Sequence, residues 1–169
     1  MVVEQKLATL KPNAPNPSVE AILHALIPFT FVDHTHADSV LSITNTPNGK
    51  AKINDIYDEK ILIIPYVMPG FILAKKIAEL TRNVNWDELE GMILLNHGVF
   101  SFGKDAKQSY DRMINIVTKA ENYLKKHNVW NNYNKSNSKV DLLKLSKIRK
   151  KASDMAGSPC ISILNNSQE

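Results

Sequence analysis

Gly91-Met92-Ile93-Leu94-Leu95-Asn96-His97-Gly98-Val99-Phe100-Ser101-Phe102-Gly103 is the stretch whose reading decides the fold. Gly91 to Leu95 is a continuous apolar run, the pattern of a strand covered on both faces. Val99 to Gly103 alternates like a return strand, so the two read as a hairpin with Asn96-His97-Gly98 at or near its turn. His97 therefore sits at the end of a strand.

Working outward, Lys60-Ile61-Leu62-Ile63-Ile64-Pro65-Tyr66 is β-branched and continuous and reads as another core strand. Phe29 to His34 reads as a short buried strand that gives way to a loop or short helix over Ala37 to Thr44. Thr46-Pro47-Asn48-Gly49 is a turn signal. Between these lie helical patterns. Asn16-Pro17 has the form of an N-cap followed by proline at the first helical position, and Val19, Ile22, Leu23, Leu26 and Ile27 recur at helical spacing before Pro28. Pro69-Gly70 precedes a helix marked by Ile72, Leu73, Ile77 and Leu80. Asp105 to Lys126 is a long amphipathic helix whose stripe is Ala106, Tyr110, Met113, Ile114, Val117, Ala120 and Leu124. Asn128 to Ser138 reads as a linker or loop, Val140 to Met155 as a last helix, and Ile161 to Leu164 as a possible final strand. Strands alternating with helices indicate an α/β domain.

A histidine pair meets this first signal. In Val32-Asp33-His34-Thr35-His36-Ala37-Asp38, residues at i and i+2 of a strand project to one side, so His34 and His36 share a face. With the distant His97 they form a candidate facial set of metal ligands, and three neutral imidazoles leave one or two positions of a Zn²⁺ ion open for substrate. Mn²⁺, Fe²⁺ and Co²⁺ are compatible with the same ligand type. Asp33 and Asp38 are candidates either to orient a ligand imidazole or to cap the following helix. Histidines of a strand end can also simply hydrogen-bond their neighbours, and that reading stands beside the metal one.

At 169 residues with 43% hydrophobic content, the chain is sized for one domain with a real core. Net charge is +4, from 21 Lys plus Arg against 17 Asp plus Glu. The basic residues are not interleaved with aromatics and carry no binding motif, which argues against a nucleic-acid partner. Cys160 is the single cysteine, so no intrachain disulfide forms and a reducing compartment fits. Residues 1–15 contain no apolar run of signal-peptide type, and no segment reaches membrane-spanning length. The expectation is a cytoplasmic protein with no membrane association.

From Asn16 to Leu124 the chain resembles the class II aldolase and adducin family. The resemblance is carried by Pro17-Ser18-Val19-Glu20 with Leu23-His24-Ala25-Leu26, and by Val32 to Asp38. It is nearest to the branch in which an aldolase region, of rhamnulose-1-phosphate aldolase type, is followed by a short-chain dehydrogenase region. The resemblance implies a three-layer α/β/α fold with a central, mostly antiparallel sheet, and a homo-oligomer with active sites near subunit interfaces. It implies that His34, His36 and His97 bind the metal and that Glu20 is the catalytic carboxylate. The implied activity is cleavage of a sugar phosphate or related hydroxy-carbonyl compound through a metal-stabilised enediolate; epimerases and dehydratases of the family share the metal histidines. Glu20 in this role calls for a pKa raised by partial burial. The bland alternative is that it complements the helix dipole or pairs with His24. His24 reads as a helper or core histidine, His127 as solvated, and Tyr66 and Tyr110 match no motif.

The resemblance breaks at both ends. Met1 to Asn16 contains no glycine, so the family's glycine-containing phosphate-binding loops have no counterpart there, and no Gly-x-Gly-x-x-Gly is present. The organisation expected is a lead over residues 1–15, an aldolase-like domain lacking its N-terminal part over 16–127, and a linker, helix and tail over 128–169. Either the chain is one piece of a split enzyme, dependent on a partner chain for the missing segment, or it is a small protein with a repurposed site. A catalytically silent binding or assembly module is the reading of another class.

Overall fold

A computed structural model describes residues 2–11, 13–130 and 141–163. It divides into two compact units, Met1–Asn131 and Asn132–Glu169. The first unit contains α1 (Val2–Leu7), α2 (Ala21–Leu26), β1 (Phe31–Thr35), α3 (Asp38–Thr44), α4 (Gly49–Ile56), β2 (Ile61–Ile64), α5 (Phe71–Leu80), β3 (Gly91–Leu94), β4 (Gly98–Gly103) and α6 (Ala106–Lys126). The second contains α7 (Leu142–Ala156).

The four strands form one sheet in the order β1-β4-β3-β2. β1 pairs antiparallel with β4, β3 antiparallel with β4, and β2 parallel with β3. The hairpin expected from the quoted stretch is present, with Leu94 opposite Gly98. Its turn is closed by the His97 amide donating to the Leu94 carbonyl at 3.1 Å, and Asn96 takes the positive φ of 58° that the turn requires.

Strand parity sorts the core into two layers, one on each face of the sheet. Val32, Leu62, Ile64, Met92, Leu94, Phe100 and Phe102 face Leu23, Leu73, Ala74 and Ile77 of α2 and α5. Ile61, Ile63, Ile93 and Val99 face Val40 and Ile43 of α3, Ile53 of α4, and Met113, Ile116 and Ala120 of α6. The domain is therefore three layers, helices over both faces of a mixed sheet whose pairings are mostly antiparallel.

Several local expectations change. The Asn16-Pro17 helix start is not used; α2 begins at Ala21 with Glu20 as its N-cap residue. Pro17 forces Asn16 toward extended backbone, and the chain turns only at Ser18, whose carbonyl accepts from the Ala21 amide at 3.1 Å. β1 is an edge strand with Phe31 exposed rather than a buried one. β2 packs on both faces as its composition demands, but it too lies at a sheet edge. An additional helix, α4, follows the turn at Asn48. In the second unit Asp141 caps α7 by accepting from the Lys144 amide at 3.0 Å, and no α7 residue is buried. Ile161–Ile163 form no strand, and Leu164 lies outside the described residues, as does most of the expected linker. Among the described residues no helix is long and apolar enough to cross a membrane.

Candidate metal centre

The C-terminal end of β1, the β3–β4 turn and the first residue of β4 lie side by side because β1 and β4 are antiparallel neighbours. α2 begins over the same face. Four residues from these elements converge: one nitrogen from each of His34, His36 and His97 and one carboxylate oxygen of Glu20 all lie within 4.8 Å of one another. All four sequence candidates are brought together. His24 is not among them.

Each side chain is held by a local cause. His34 sits opposite Phe100 in the strand register and stacks on it, with centroids 4.0 Å apart and planes 17° from parallel. Its Nδ1 lies 2.8 Å from the Val99 carbonyl oxygen. A carbonyl only accepts, so Nδ1 of the neutral ring carries the proton and Nε2 keeps its lone pair for the cluster. His36 follows one residue past β1 and is exposed, leaving one side of the cluster open. Asn96 donates through Nδ2 to the Thr44 carbonyl at 3.3 Å and to Asn45 Oδ1 at 2.9 Å, tying the turn that carries His97 to the end of α3. Glu20 does not cap α2 with its side chain. Instead its Oε1 lies 2.7 Å from His97 Nε2 and 3.3 Å from His34 Nε2.

This donor set fits a divalent transition-metal ion. His34 Nε2 and His36 Nε2 are 3.0 Å apart, and lone pairs aimed at one another at that separation require a proton or a cation between them. Donors about 2.1 Å from a tetrahedral ion are themselves about 3.4 Å apart, which compares with 3.0 Å between the His34 and His36 nitrogens in a set that lies within 4.8 Å. His97 is the exception to complete support: its Nδ1 is buried with no hydrogen-bond partner.

The electrostatics correct one expectation. Burial pushes the Glu20 carboxyl up, but the His97 hydrogen bond and the charges of His34, His97 and His36 outweigh it, and the net direction is down. Glu20 is thus ionised at neutral pH. Burial, ahead of smaller opposing effects from the Val99 carbonyl and Glu20, holds the His34 imidazole below its ordinary value.

The remaining candidates have structural roles. Asp33 points to the opposite face, where its Oδ2 accepts from Ser109 Oγ at 2.6 Å, so it orients no ligand. Asp38 lies in the first turn of α3 behind the cap residue Ala37 and makes no side-chain cap bond. His24 is not paired with Glu20; it packs edge-on against Phe100 at 5.3 Å. His127 is exposed beside Tyr123. Gly98 opens β4 without a positive φ, so the turn alone does not call for glycine there.

Residues 1–124 match the sequence profile of the class II aldolase and adducin N-terminal domain. The chain is 41% identical over 110 residues to the uncharacterized oxidoreductase YuxG of Bacillus subtilis (strain 168), covering 65% of this chain and 16% of that protein. It is 41% identical to the N-terminal class II aldolase domain of a conserved protein from Thermoplasma acidophilum, with TM-score 0.64 over 73% of this chain and 55% of that one. A sugar-phosphate aldolase from Thermotoga maritima shares the fold at 22% identity and TM-score 0.54, over 70% and 58% of the two chains.

Proposed function

Because the chain belongs to the class II aldolase and adducin family, we propose that it carries the metal centre of an aldolase-type lyase acting on a sugar phosphate or related hydroxy-carbonyl compound. The observation that supports this most directly is the convergence of three imidazoles and one carboxylate at a single point. Zn²⁺ suits this ligand set, with Mn²⁺, Fe²⁺ and Co²⁺ of the same ligand class. Bound there, the ion would act as a Lewis acid that polarises the substrate carbonyl and offsets the charge of an enediolate.

The chain's own residues would do the rest. His34 is held in the ligand tautomer by the Val99 carbonyl and in orientation by Phe100, and the backbone of His97 is held by the turn it sits in. Glu20, an ionised carboxylate beside both, would take the proton from the reacting carbon in the direction of bond formation, leaving the electron pair in the enediolate. The exposed side at His36 is the route for substrate. The chain spans 16% and 55% of the relatives named first, and a homo-oligomer belongs to the same proposal, as does a cytoplasmic location.

The experiment is metal analysis followed by a ketose-phosphate cleavage assay with added Zn²⁺. Stoichiometric zinc that is lost in His97→Ala, with turnover reduced about 10²- to 10⁴-fold in Glu20→Gln while metal is retained, is the expected result. Absence of any divalent transition metal from protein prepared without chelator, with no uptake of added Zn²⁺, would overturn the metal centre. A folded, metal-loaded protein with no turnover on ketose phosphates would favour the silent binding or assembly module, or an epimerase or dehydratase.

A further inference from the structure

Gly98 pairs with Leu94 at the first position of β4 and faces the same side of the sheet as Phe100, under the rings of the cluster. A β-carbon built on it would lie 2.6 Å from His36 Cδ2, 2.8 Å from the Thr35 carbonyl oxygen and 2.9 Å from His34 Cε1. Three neighbours from two ligand residues and the backbone between them occupy the space that any other amino acid would fill. The Thr35 carbonyl belongs to the strand and cannot swing away, and the His34 ring is pinned from behind by Phe100 and by Val99. His36, on the exposed side, is the group left to move.

We infer that Gly98 is a positioning residue for the metal centre, and that its missing side chain is what allows the His36 ring to close onto His34 and complete the ligand set. This rests on the metal reading of the cluster. With a β-carbon at 98, the ring of His36 is displaced outward and its Nε2 leaves the position 3.0 Å from His34 Nε2. The ion would then be held by His34 and His97, with one imidazole fewer. Gly91, on β3, supplies the matched control: a β-carbon there would meet the Phe100 carbonyl at 2.6 Å and Ile116 Cδ1 at 2.7 Å, a comparable collision on the face away from the cluster.

The test compares Gly98→Ala and Gly91→Ala in the full chain by Zn²⁺ affinity, in competition with a chromophoric chelator, and by the ligand-field spectrum of the Co²⁺-loaded protein. Both variants are expected to lose thermal stability. Zn²⁺ affinity is expected to fall about 10- to 100-fold in Gly98→Ala, with a changed Co²⁺ spectrum, and to be unchanged in the folded fraction of Gly91→Ala. Equal affinity and an unchanged spectrum in Gly98→Ala would overturn the inference while leaving the metal centre intact. A parent chain that binds no Zn²⁺ would overturn both. Should Gly98→Ala fail to fold, the double variant with His36→Ala decides: recovery of folded protein supports ring approach as the reason for the glycine, and no recovery assigns Gly98 to strand packing alone.

Discussion

The two faces of the sheet carry polar residues one position apart, and the chain uses them in opposite ways. On the α6 side, Asp33 lies opposite Ser101 in the register. There Ser109 Oγ donates to Asp33 at 2.6 Å and Ser101 Oγ donates to the Ser109 carbonyl at 2.8 Å. The buried hydroxyls are thereby satisfied, and the network anchors the start of α6. On the α2 side, His34 is followed by His36, and although His97 Nε2 pairs with Glu20 at 2.7 Å, His34 Nε2 and His36 Nε2 face one another at 3.0 Å. Three ring nitrogens and a carboxylate oxygen crowd within 4.8 Å of one another, and His97 Nδ1 has no partner. Polar atoms that pair off build structure, whereas lone pairs that converge ask for something from outside.

Breaking the contrast most severely should take Phe100→Ala, because Phe100 is fully buried and is the platform on which His34 stacks. Loss of about 3–5 kcal/mol of stability is expected in chemical denaturation, together with weakened metal binding; stability lost with metal affinity intact would detach His34 from its platform. Acidification should come next. His34 has a folded-state pKa below its ordinary 6.5, so the unfolded chain binds more protons and stability falls as pH drops through that value toward the folded one. Glu20, held below its ordinary 4.5, contributes stability that is present above that value and lost as pH falls through its folded pKa. Thermal midpoints in chelator should therefore decline in two stages below about pH 6.5, and a His34→Gln variant should lack the first. Ser109→Ala is the smallest change: about 1 kcal/mol of stability is expected to go, with Zn²⁺ affinity unmoved. A shift in affinity there would show that the two faces are coupled.

Much of this was legible from residue order. The hairpin and the facing pair of His34 and His36 follow from period-two alternation; the same alternation puts Asp33 on the other face, which rules out its reading as an orienter of a ligand imidazole. What the sequence obscured has physical reasons. Asn16-Pro17 imitates a helix start, but Pro17 also extends the residue before it, and α2 begins at Ala21, which turns Glu20 from a first-turn residue into the N-cap. α4 was hidden behind a turn signal. Continuous apolar composition in Ile61–Ile64 reports that both faces are covered but not that the strand lies at an edge. The direction of the Glu20 pKa depends on three imidazoles from distant segments, and the need for glycine at position 98 depends on rings approaching across a strand pair. Neither is a local property.

The register of β1 against β4 also sets an order of events. β3 and β4 are joined by a short turn and close over a small loop, whereas His34 meets Phe100 only after the whole intervening chain, with α3, α4, β2 and α5, has been bridged. The hairpin that carries His97 is therefore expected to form early, and β1 to dock late. Ligands from opposite ends of that closure meet only in its final step, so an ion captured by them acts as a latch on the finished topology. Zinc added to refolding protein should slow unfolding while leaving the folding rate almost unchanged, and acceleration of folding by zinc would place the ligands together in the transition state instead.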